Sequence, residues 1–231
     1  MKIVISPSKT MKMTKSEYLI DKEILYPKKH KNVLSTLRKL SKEEIGKALS
    51  IKDDILNQTY YQIKNYSKQE TYHAFPSFTG LVFFNLDKES FKQEEYKYIS
   101  KNIRVLDAFY GILEPESLIR QYRLDMKAKI GLNLYKHWDI DDYFKEELII
   151  NLASTEFSKM ITKKMINIHF LQFKNNKYIN QATYSKMARG KLLNYLIMNK
   201  IDEIETIKLF DFDGYLFDPR LSDEFNLTFT R

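Results

Sequence analysis

Lysine and arginine dominate the side chains that could do chemistry, and three groups of them stand out. These are Lys9, Lys12 and Lys15; Arg120, Arg123, Lys127 and Lys129; and Lys186, Arg189 and Lys191. Arginine grips a phosphate with two parallel N–H donors and lysine meets it as a point charge, so each group predicts contact with an anion. The steps of three and four between Arg120, Arg123 and Lys127 place them along one face if the segment is a helix. Lys186 and Arg189 repeat the three-residue step near an expected helix start, beside Gly190, where free backbone N–H groups also favour phosphate. Ser6-Pro7-Ser8-Lys9 offers a different chemistry. A serine at a helix N-terminus can attack a carbonyl when a lysine one turn later takes its proton. The companion Lys-Thr-Gly is missing, so the segment reads as a Ser/Lys-lined loop able to hold an anion.

Asp211 and Asp213 flank Phe212 after an apolar run, an arrangement that elsewhere attacks phosphorus with Mg²⁺. That chemistry needs a lysine and an acidic pair further along, and only 18 residues follow Asp213, so the segment reads as an acidic turn. His30, His73, His137 and His169 have no partner at helical metal-ligand spacing, so neither a metal nor another cofactor is expected. The 231 residues contain no cysteine, which removes thiol reduction of peroxide, CxxC redox pairs and cysteinyl iron–sulfur clusters.

The elements that must carry these residues alternate in type. Met1 to Ser6 reads as a short strand stopped by Pro7, and residues 7 to 31 as an irregular arm. Lys31 to about Tyr60 has helical periodicity and reads as a helical pair, the second helix started by a Ser41/Glu44 capping box. Thr79-Gly80 opens a short helix, and Phe91, Tyr96 and Ile99 mark an amphipathic one. Ile103 to Phe109 and Leu148 to Leu152 read as buried strands, with 132–147 a helix between them. Ser154 or Thr155 can cap a helix beginning near Glu156. Ile166–Phe173 and Lys177–Tyr184 form a hairpin around Lys174-Asn175-Asn176, Ser185–Lys200 an amphipathic helix, and Leu209–Phe212 and Phe225–Thr230 two last strands. Buried and alternating strands interleaved with helices predict an α/β (α+β) fold, a mixed sheet flanked by helices in one domain over residues 1–231. His137 and Trp138 are expected in the core.

A net charge of +8 names no partner, but it is unevenly placed. Residues 1–40 carry +7, 41–115 carry −1, 116–200 carry +7 and 201–231 carry −5. Two basic blocks attract polyanions if the fold joins them. The apolar start is too short for a signal peptide and no run approaches a membrane span, so a cytoplasmic protein without a membrane partner is expected.

Six segments in order resemble the YaaA-like peroxide stress proteins: Ile5-Ser6-Pro7-Ser8-Lys9-Thr10, Tyr110-Gly111-Ile112-Leu113-Glu114-Pro115, Tyr122-Arg123-Leu124-Asp125-Met126, Asn151-Leu152-Ala153-Ser154, Lys186-Met187-Ala188-Arg189-Gly190 and Gly214-Tyr215-Leu216-Phe217-Asp218. The resemblance implies a bacterial protein that limits iron-dependent oxidative damage and binds double-stranded or branched DNA, largely without regard to sequence, through a basic cleft with a helix-hairpin-helix-like element. That element falls at Tyr110 to Pro115, where a Gly-containing hairpin can approach phosphate closely. Ser6, Lys9, Lys12, Tyr110, Gly111, Arg120, Arg123, Lys127, Lys186, Arg189 and Lys191 are then the expected phosphate contacts. Ala108 stands where the family tends to have Gly, and Glu114 where a basic residue is usual. The second expectation is an enzyme for a small anionic substrate held by Ser6, Lys9 and the arginines.

Overall fold

The computed structural model describes residues 1–231. The chain opens with β1 (Lys2–Ile5), followed by α1 (Pro27–Lys39), α2 (Lys42–Leu49), α3 (Asp53–Lys64), β2 (Tyr72–His73), α4 (Ala74–Ser77), α5 (Leu81–Phe84) and α6 (Gln93–Asn102). Next come β3 (Ile103–Asp107), β4 (Gly111–Leu113), β5 (Leu118–Ile119), α7 (Leu134–His137), α8 (Asp141–Phe144), β6 (Ile149–Asn151) and α9 (Thr155–Ser158). The last part holds β7 (Ile166–Lys174), β8 (Lys177–Ile179), α10 (Ala182–Asn199), α11 (Ile204–Ile207), β9 (Leu216–Phe217) and β10 (Asn226–Thr230). The fold is mixed α/β, and no helix is long and apolar enough to cross a membrane.

Strand pairing explains the apolar runs. β1 lies parallel to β3 on one side and to β6 on the other, and β6–β7 and β7–β10 are also parallel. β4 and β9 close the two edges antiparallel, and β8 folds back on β7. Counted along the chain, the five parallel strands lie in the spatial order 2-1-3-4-5, so their progression reverses between β1 and β6. Helices cover a parallel sheet on both faces, which is why β3 and β6 are buried at every position.

Local signals account for several boundaries. Glu44 N–H donates to Ser41 Oγ at 3.2 Å and Ser41 N–H to Glu44 Oε2 at 2.7 Å, starting α2. Asn175 and Asn176, both at positive φ, make the two-residue turn between β7 and β8. The helical region before Tyr60 is three helices, not a pair.

Three expectations give way to packing. The helix expected over 132–147 is two short ones, because the chain breaks to seat Trp138 in the core, where Nε1–H donates to Ala108 O at 2.8 Å. Gly111 at φ +84 makes that seat: a Cβ there would lie 2.6 Å from the indole. Leu209–Phe212 is no strand, since Phe210 turns in to pack on Phe170 and Phe229, and β9 becomes the partner of β10. The segment carrying Arg120, Arg123 and Lys127 is extended rather than helical, alternating buried Tyr122, Leu124 and Met126 with outward Arg123, Asp125 and Lys127. Tyr110 to Pro115, where a helix-hairpin-helix-like element was expected, includes the buried return strand β4, paired antiparallel with β3.

Candidate functional site

Ser6 is the first residue beyond β1 and Ser154 lies three beyond β6, so the two meet at the carboxyl ends of adjacent parallel strands, where the strand order reverses. Open α/β sheets form a crevice at that place because the connections from neighbouring strands leave toward opposite faces. Ser154 N–H donates to Ser6 Oγ at 2.9 Å, and Ser6 Oγ–H can donate in turn to Ser154 Oγ at 3.3 Å. Ser154 precedes α9, yet its hydroxyl leaves that helix uncapped and is spent on Ser6 instead. The loop after β1 is tied down by Thr79, whose N–H donates to Ser8 Oγ at 3.1 Å and to Thr10 O at 3.2 Å.

Two further segments close the space. α10 carries Lys186 and Arg189 to it, and packs against α5 at Gly190, where a Cβ would lie 2.4 Å from Val82 O. Only glycine permits that approach. Arg123 arrives on the extended segment, held by its neighbour Tyr122, whose hydroxyl donates to the buried carboxylate of Asp107 at the end of β3. The result is a cleft of about 610 Å³ lined by Ser6, Lys9, Arg123, Glu156, Lys186 and Arg189, with Leu81, Val82, Phe83, Leu152 and Phe157 as its apolar surface.

Its electrostatics are unbalanced. Lys9 Nζ pairs with Asp125 Oδ2 at 2.8 Å across the cleft lining, whereas Arg123, Lys186 and Arg189 form no ion pair. Arg123 Nε and Arg189 Nε are buried and have no hydrogen-bond partner. Burial pulls the Arg189 guanidinium below its usual value, although a guanidinium stays protonated in proteins. Two half-buried guanidiniums without ion pairs, each with its Nε buried, beside hydroxyls and an exposed lysine are equipped to take an anion with several oxygens.

Ser6, Lys9, Arg123, Lys186 and Arg189 are therefore brought together from the set expected in the sequence, and the others are not. Lys12 and Lys127 are exposed elsewhere. Arg120 donates Nε–H to Gln69 O at 2.9 Å and lies over the Tyr66 ring, because its chain is extended and a residue three positions from Arg123 faces another way. Lys191 lies over the Phe212 ring. Tyr110 and Gly111 are buried, Tyr110 sharing a 2.7 Å hydrogen bond with Tyr66, so neither reaches a ligand backbone. Ser6 and Lys9 do not form a nucleophile–base pair: they sit in a loop, and each is bonded to another residue. Asp211 is exposed, and Asp213 pairs with Arg231.

Sequence reasoning missed Asp125 and Glu156 as parts of the site. Asp125 lies inside the Tyr122–Met126 motif and Glu156 two residues past the motif ending at Ser154, so adjacency to a motif was the available signal.

The model of a family described as peroxide stress protein YaaA matches residues 1–221. Among curated relatives, a UPF0246 protein of Fusobacterium nucleatum is 37% identical over 100% of this chain and 99% of its own length. UPF0246 proteins of Agathobacter rectalis and Marinomonas sp. are 33% and 34% identical, each over 100% of this chain, and over 99% and 97% of their own.

Proposed function

Because the chain belongs to the peroxide stress protein YaaA family, we propose that it serves defence against peroxide by binding DNA through backbone phosphates held in this cleft. The supporting observation is the pair Arg123 and Arg189, half-buried in one cleft with no acidic partner and each with an unpartnered buried Nε. Even a partly buried cation without a counter-ion costs folding free energy, and a site that keeps two of them is one whose counter-charge arrives with a ligand. Phosphate suits the set, because guanidinium forks and hydroxyls match its oxygens while recognising no base. A cleft of about 610 Å³ takes single-stranded backbone but not a duplex, which favours strand ends, branches and distorted backbones that bring successive phosphates to Lys9, Arg123, Lys186 and Arg189. The chain has no cysteine, so protection by thiol reduction of peroxide is not available to it. Protection then comes from occupying DNA or from limiting the iron that turns peroxide into radicals.

Fluorescence anisotropy of labelled duplex and junction DNA across a salt series tests this. With Lys9, Arg123, Lys186 and Arg189 all on phosphates, the log–log slope of affinity against salt is about −3.6, and Arg123→Gln lowers its magnitude by about one. Flat salt dependence, or no binding at low salt, overturns the proposal.

A further inference from the structure

Backbone phosphates leave one group in the cleft without a purpose. The molecule has five buried side-chain atoms with no hydrogen-bond partner, and three of them line this cleft: Arg123 Nε, Arg189 Nε and Glu156 Oε1. The carboxylate has the wrong sign for phosphate. It pairs with neither arginine, so it is not simply their counter-ion. Glu156 is placed by α9, directly after the β6 loop that builds the serine pair, whereas Arg189 comes from α10 and Arg123 from the extended segment.

An ionised carboxylate accepts hydrogen bonds and donates none, so whatever faces Glu156 presents N–H or O–H groups. Whatever faces the arginines presents anionic oxygens. The lining also includes apolar side chains, among them Leu81, Val82, Phe83, Leu152 and Phe157. A molecule with a phosphate at one end, a flat ring and a donor edge at the other satisfies all three demands. The volume of about 610 Å³ lies within the roughly 300–1,000 Å³ of small-molecule sites. We propose that the cleft is a site for a single nucleotide, its phosphate on Arg123 and Arg189 and the donor edge of its base on Glu156. Guanine suits that carboxylate best, because its N1–H and N2–H donors lie side by side and meet both oxygens. The inference rests on the phosphate reading of the same cleft and adds what that reading lacks, a group that distinguishes one base from another.

Calorimetric titration of the full chain with guanosine 5′-monophosphate, adenosine 5′-monophosphate, inosine 5′-monophosphate and ribose 5-phosphate separates the two readings. The guanine nucleotide is expected to bind at least tenfold more tightly than ribose 5-phosphate or the adenine nucleotide. The inosine nucleotide, which lacks the 2-amino donor, falls between. Glu156→Gln brings the affinity ratio of guanine nucleotide to ribose 5-phosphate toward one. The ligand series alone decides the matter on unaltered protein if that variant fails to fold. Equal binding of all four ligands, or an unchanged ratio in Glu156→Gln, overturns the nucleotide inference and leaves the phosphate reading standing. Failure of ribose 5-phosphate, the nucleotides and DNA alike overturns both.

Discussion

Tyr122 and Arg123 are neighbours in the chain, and their polar groups meet opposite conditions. Tyr122 enters a buried aromatic cluster in which the polar contacts close on one another. Asp107 accepts from the Tyr122 hydroxyl and from the N–H groups of Phe109 and Tyr110 at 2.8 and 2.9 Å. The Tyr110 hydroxyl meets Tyr66, and His30 Nδ1 meets Phe109 O at 3.0 Å. Arg123 points the other way, into a cleft where it, Arg189 and Glu156 each keep a buried atom unpaired. A closed polar network stabilises a unique packing, whereas an open one costs stability in the absence of a ligand. The aromatic cluster is the brace, and the cleft is what it braces.

Breaking the brace is expected to do the most damage. Asp107→Ala strands a hydroxyl and two N–H groups in the core, and urea unfolding should show a loss of about 3–5 kcal/mol. The wild type carries a pH signature of the same residue. Burial, which outweighs the hydrogen bonds to Tyr122, Phe109 and Tyr110, pushes the Asp107 carboxyl up from 3.8 to about 6. The folded form then holds its proton more tightly than the unfolded chain between these values. Asp107 therefore contributes stability that is complete below about pH 4 and lost as pH rises through about 6. Asp107→Ala removes this contribution.

The cleft should respond with the opposite sign. Arg189→Met exchanges a half-buried cation that has no ion pair for an apolar side chain of similar length, and thermal or urea unfolding should show a gain of about 1–2 kcal/mol. The same variant should lose most of its affinity for phosphate ligands. A loss of stability instead would mean that Arg189 belongs to the brace.

The smallest effect is expected at the Lys9–Asp125 pair. Lys9 is 60% exposed there, so Asp125→Asn changes stability by less than about 1 kcal/mol. It also frees a lysine beside the arginines, and titration should show anion affinity rising roughly threefold at low salt. Unchanged affinity would show that Lys9 does not serve the ligand.

Much of the architecture was legible before folding was considered. The buried strands at Ile103–Asp107 and Ile149–Asn151, the capping box at Ser41 and the hairpin at Asn175-Asn176 are all written in local patterns. The helix over 132–147 was not legible as two pieces, because its break answers to Trp138 and Gly111, which are far from each other in sequence. The basic stripe at Arg120, Arg123 and Lys127 failed for a related reason. Spacing by three and four aligns side chains only on a helix, and this segment is extended, its Tyr122, Leu124 and Met126 turned into the core.

By itself the sequence determined the buried strands, the hairpin, the absence of thiol chemistry, the two basic blocks and the motifs carrying Ser6, Lys9, Arg123, Lys186 and Arg189. Those properties depend on residue type and short-range spacing, which the chain carries unfolded. Only the tertiary structure decided that these five share one cleft, that Arg120, Tyr110 and Gly111 lie outside it, and that Glu156 lies inside. Strand order and helix packing set which loops meet, and a side chain's burial and lack of a partner depend on neighbours more than a hundred residues away.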